Sequence, residues 1–122
     1  MDFNDVVANR LGNIKAVLET KGEEYGRDND RYHNFNVASR LLGISPERAL
    51  IGMEIKHRVS IMDLIDLAET YPERLSYVLI NEKIGDAINY LILLEGLLYN
   101  RVLNKKPQIK DRYIQGEGCA NH

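Results

Sequence analysis

LINEKIGDAINYLILLEGLL, residues 79–98, is the stretch on which the fold turns. A helix advances about 100° per residue. That spacing puts Ile80, Ile84, Ile88, Leu91, Leu94 and Leu98 on one side, and Glu82, Asp86 and Asn89 in a column on the other. Leu75, Leu79 and Leu93 extend the column in both directions, so the two acids are expected to point into a core. A helix that is apolar over most of its circumference belongs at the centre of a bundle or in a subunit interface. The run from Ala87 to Leu98 contains Asn89, Glu95 and Gly96 and is too short to span a bilayer.

Working back, Ser45-Pro46-Glu47 is a helix start, with serine as N-cap and proline at the first helical position. The helix it opens is predicted to run to about Glu69 and to stop before Tyr71-Pro72. On it, Glu54 shares a face with Leu50, Ile61, Ile65 and Ala68, while Lys56, Ser60, Asp63 and Asp66 fall on the solvent side. The short connection to the next helix, which is predicted from about Leu75 or Ser76 to Val102, implies antiparallel packing. Three inward carboxylates, Glu54, Glu82 and Asp86, then converge. Burying an unpaired carboxylate costs several kcal/mol. A hard cation, Mg²⁺ or Mn²⁺, would offset that cost, since such ions take oxygen ligands. The other reading is structural ion pairs, Glu82 with Arg58 or Lys83 and Asp86 with another base.

Two further helices complete an all-α bundle. The first is expected from about Asn4 to Lys21, with Val6, Val7, Leu11, Ile14, Val17 and Leu18 as its apolar stripe. A polar stretch from Gly22 to Tyr32 has turn chemistry. A short helix then runs from about Asn34 to Leu42 and ends at Gly43. The expected organisation is one helical domain over residues 1–103 and a polar tail over 104–122, in which Ile109, Tyr113 and Ile114 could dock. A single chain of 122 residues offers the fourth helix few neighbours, so a homodimer or higher homo-oligomer is expected.

The composition is that of a soluble domain, 44% hydrophobic and 28% charged. A formal net charge of −2 argues against a nucleic-acid-binding surface. The single Cys119 gives no disulfide framework and no cysteine zinc site, which suits a reducing cytoplasm. No signal pattern opens the chain and no membrane segment is expected.

His57 lies three residues after Glu54 and faces nearly the same way. It is a candidate metal ligand, phosphate donor or acid–base group, or else a satisfied core histidine. Arg58 either holds a substrate phosphate or neutralises Glu54. In the polar stretch, Lys21, Tyr25, Arg27, Arg31, Tyr32, His33 and Asn34 mix cations with aromatics, a combination suited to a phosphate and a base, or simply a solvated loop. Asn34 is read as the N-cap of the short helix and Phe35 as its anchor, so that His33 hangs over a helix N-terminus, where anions bind. Asn89 adds an amide to the acidic column.

These residues together resemble the all-α nucleoside triphosphate pyrophosphohydrolases, the MazG-like superfamily, and in particular small phage-encoded members, some of them associated with nucleotide modification. The likeness rests on Lys21-Gly-Glu-Glu-Tyr-Gly26, His33-Asn-Phe35, Lys56-His57, Ser60-Ile61 and the Glu82–Asn89 segment, and covers about Lys21 to Leu98. It implies Mg²⁺ held by acids on two helices and hydrolysis of an NTP or dNTP to the monophosphate and pyrophosphate. Metal would lie on Glu54, Glu82 and Asp86, with His57 and Glu54 catalytic, and the nucleotide on Lys21, Tyr25, His33, Asn34, Arg58 and Asn89. The chain departs from the family pattern of ExxE followed by ExxD. His57 replaces the second acid, and Lys83 stands three residues before Asp86, with the acid displaced to Glu82. Those departures leave open a second function on the same scaffold, a non-catalytic protein that sequesters or senses a nucleotide.

Overall fold

The computed structural model describes residues 1–25 and 30–105, with the backbone alone described for 21–25. Among the described residues four helices, α1 (Phe3–Tyr25), α2 (His33–Leu42), α3 (Pro46–Thr70) and α4 (Tyr77–Asn104), and one 3₁₀ turn at Pro72–Arg74 follow in that order. The fold class is all-α.

Local chemistry sets the helix ends. The Ser45 hydroxyl accepts a hydrogen bond from the Arg48 amide at 3.2 Å with Pro46 at the first position, and Ser76 does the same for the Leu79 amide at 3.1 Å. Asp2 caps α1, its Oδ1 accepting from the Asp5 amide at 2.9 Å. Gly43 closes α2 at φ 69°, a left-handed conformation that favours glycine.

Two expectations about boundaries are corrected. The first helix continues past Lys21 to Tyr25, because Glu23 and Glu24 are good helix formers and the single Gly22 costs only about 1 kcal/mol. Asn34 is not the cap of α2. Tyr32 holds that position without a side-chain cap bond, and the turn is made upstream by Asp30, whose Oδ1 accepts from the Tyr32 amide at 2.9 Å.

The most extensive packing is between α3 and α4. Glu47 meets Arg101 and His57 meets Asp86, so numbers rise along one helix as they fall along the other and the pair is antiparallel. Helix α2 lies against α3, and α1 against the first half of α4, where Arg10 Nη2 donates to the Asn81 carbonyl and Asn13 Nδ2 to Asn81 Oδ1. The core is small. Phe35, Leu50 and Leu97 form its centre, with Tyr90, Leu93 and Leu94 packed against them. The α4 members run from Tyr90, at the middle of that helix, to Leu97. Gly96 belongs to the same region, since a Cβ there would collide with the Tyr32 hydroxyl. No described helix is long and apolar enough to cross a membrane.

Candidate functional site

A cavity of about 380 Å³ opens where the four helices meet. That volume falls in the range of small-molecule sites. Its floor is apolar, with Met53 from α3, Tyr90 and Leu93 from α4, and Phe35 from α2. Phe35 meets the Tyr90 ring edge-on at 5.8 Å between centroids, which fixes the ring that forms the wall. Val17 and Leu18 close the α1 side.

The polar groups among the described lining residues are cationic on balance. Arg31 precedes α2, and Lys56 and His57 are neighbours on α3. Asp86 is the only carboxylate among the described lining residues. Two amides, Asn34 and Asn89, complete the set. His57 packs against Tyr90, ring centroids 4.6 Å apart and tilted by 55°, and turns its Nδ1 to within 3.9 Å of Asp86 Oδ2. Its Nε2 is buried with no protein partner, and so is Asn89 Oδ1. Orphaned buried polar atoms of this kind are uncommon and concentrate at functional sites. Burial pushes the phenol of Tyr32, beside Arg31, above its free value; Arg31 opposes the shift and Asp30 adds to it.

The residues expected from the sequence separate into those that share this cavity and those that do not. His57, Asp86, Asn89 and Asn34 share it. Glu54 is buried, as expected, at 2% exposure, yet it is absent from the lining. Its Oε1 accepts a hydrogen bond from Arg58 Nε at 2.7 Å. Of the two roles open to Arg58, the geometry shows the neutralising one, and its side chain otherwise points to solvent.

Glu82 is exposed and pairs with Lys83 at 3.7 Å, so the column of inward acids breaks at its first member. Its turn of the helix lies beyond the reach of the core cluster. The core cluster takes Tyr90 to Leu97 of α4, and Glu82 lies about 12 Å before Tyr90 at 1.5 Å per residue. His33 is the first residue of α2 and does not line the cavity. The side chains of Lys21 and Tyr25, and all of Arg27, lie outside the described residues.

Lys56, expected on the solvent side, is exposed and also lines the cavity. The spacing Met53, Lys56, His57 (i, i+3, i+4) is the signal that could have placed it there.

A divalent cation does not fit this donor set. Among the described residues no group of three or more His, Cys, Asp or Glu side chains gathers to hold one. Glu54 is turned to Arg58, Glu82 to Lys83, and Asp86 shares its cavity with Arg31 and Lys56. Compared with known proteins, the chain matches no family model, and no curated protein or solved structure shows significant similarity to it.

Proposed function

We propose that this protein binds a phosphorylated nucleotide in the four-helix cavity and holds it without turning it over, as a sequestering or sensing protein. The observation that carries this reading is the balance of charge among the described lining residues: the cations Arg31 and Lys56, with the His57 imidazole beside them, against one carboxylate, Asp86. Such a lining suits a ligand bearing several negative charges. Charge-assisted hydrogen bonds to phosphate oxygens are roughly twice as strong as neutral ones. The apolar floor of Met53, Tyr90 and Leu93 suits a heterocycle, and the Asn34 and Asn89 amides supply donors and acceptors for its edge. Resemblance to phage-encoded MazG-like proteins supports the nucleotide class and suggests a role in lowering a nucleotide signal inside a host cell.

One observation favours the second reading, hydrolysis. The His57–Asp86 pair faces the same cavity, and a carboxylate beside an imidazole can orient it as a general base toward water. Equilibrium dialysis against a panel of linear and cyclic nucleotides, followed by chromatography of the recovered ligand, separates the two. Retention of an intact nucleotide is the expected result. Recovery of a monophosphate with pyrophosphate would replace sequestration by hydrolysis, and no retention of any nucleotide would refute both.

A further inference from the structure

Glycine inside a helix is unfavourable relative to alanine, so each helical glycine raises the question of what a side chain would meet in its place. At Gly12 on α1 and Gly52 on α3 a Cβ would meet nothing within 4 Å, and at Gly85 on α4 only the tip of the Arg10 side chain. Gly96 on α4 is different. A Cβ there would stand 3.4 Å from Tyr32 Cζ and overlap the hydroxyl oxygen. The Tyr32 phenol therefore sits against bare α4 backbone, in a space that only glycine leaves open.

That seat does not yield cheaply. A tyrosine ring is rigid and turns on two torsions, so displacing its hydroxyl displaces the whole ring. The ring packs against the cluster of Phe35, Leu50 and Leu97. The backbone beside it is a tight turn, in which Asp30 Oδ1 accepts from the Tyr32 amide at 2.9 Å and the Asp30 carbonyl from the His33 amide at 3.1 Å. Tyr32 holds the N-cap position of α2 without a side-chain cap bond, so the ring is what ties this turn to the body of the bundle. Arg31 lies within the turn, is exposed, and lines the cavity. Neither Tyr32 nor Gly96 lines it.

We propose that Gly96 is a positioning residue for the cavity: its missing side chain lets Tyr32 seat against α4, and that seat holds the turn at 30–32 so that Arg31 faces the phosphate of the bound nucleotide. The phosphate part rests on the nucleotide reading above, whereas the seat stands without it. Gly96 touches no ligand and acts through Tyr32 and Arg31.

Calorimetric titration of a nucleotide retained by the wild type tests the coupling. Gly96→Ala should weaken binding by at least about tenfold, the loss of one charged hydrogen bond, with helical circular dichroism retained. Arg31→Gln should weaken it as much, and should cost nothing more when added to Gly96→Ala. Adding Tyr32→Phe to Gly96→Ala removes the clashing hydroxyl and leaves a 3.4 Å contact that a small shift relieves, so affinity should return close to the wild-type value. Gly52→Ala adds the same methyl in open space and should bind as the wild type. Wild-type affinity in Gly96→Ala, or a loss that Tyr32→Phe does not reverse, overturns the proposal. A second readout needs no nucleotide. Trypsin reaches the peptide bond after Arg31 only when the turn opens, and mass spectrometry follows the fragment that begins at Tyr32. Its release should be faster from Gly96→Ala and return to the wild-type rate on adding Tyr32→Phe. A wild type that binds no nucleotide would sink the nucleotide reading; in that case the trypsin series decides the seat, and unchanged release from Gly96→Ala overturns it.

Discussion

Lys56 and Asp86 act in opposite directions on anything anionic in the cavity, so substitutions at the two positions should move affinity oppositely. Lys56→Gln removes a cation from the lining and should weaken nucleotide binding by at least about tenfold, since a hydrogen bond to a charged group contributes about 1.5–3 kcal/mol. Asp86→Asn removes the one carboxylate among the described lining residues and should tighten it. Isothermal titration of both variants reads the two signs. Arg58 lies outside the cavity and should leave affinity alone while affecting stability. Arg58→Ala strands the buried Glu54 carboxylate without its partner, and should lower unfolding free energy in urea by about 1–3 kcal/mol. Residue by residue, the sequence was legible where the helical wheel and the neighbouring helix agreed, as for Glu54 and Asn89, both buried. It was not legible for Glu82, because a wheel gives an angle and says nothing about how far along the helix the cover extends.

At the scale of elements, the ends of α3 and α4 are tied by Glu47 and Arg101, with Nη2 donating to Oε1 at 2.9 Å. The Arg101 hydrogen bond holds the Glu47 carboxyl below its ordinary value, outweighing partial desolvation. A carboxylate with a lowered folded pKa contributes stability above its unfolded value, about 4.5, and loses it as pH falls through the lowered folded value. Arg101→Gln should therefore flatten the acid limb of the stability–pH curve below about pH 4.5 and leave the neutral limb comparatively little changed in slope. The serine caps were readable in advance, because serine before a helical run, reinforced at Ser45 by Pro46, has one economical use. Ser76→Ala should lower stability by about 1 kcal/mol in chemical denaturation. The start of α2 was not readable, because its turn is made by the Asp30 side chain two residues before the cap position.

For the molecule as a whole, the all-α class and the antiparallel α3–α4 pair followed from periodicity and from the short connection at Pro72–Arg74. What periodicity could not give was the division of apolar surface between core and outer face, which depends on how many helices surround α4. Leu50, fully buried at the centre of the small core, should be among the most sensitive positions, and Leu50→Ala should cost about 2–5 kcal/mol in unfolding free energy. The cavity was legible only in part, because its cations come from two separate segments, Arg31 before α2 and Lys56 on α3, that only the packed bundle brings together. That meeting of charges is the central claim. Its most direct test is calorimetric titration of a nucleoside triphosphate into wild-type protein and Lys56→Gln, both in excess EDTA. The account predicts binding to the wild type without divalent metal, weakened at least about tenfold in the variant. Binding that appears only when Mg²⁺ or Mn²⁺ is restored, or that is indifferent to Lys56, would contradict it.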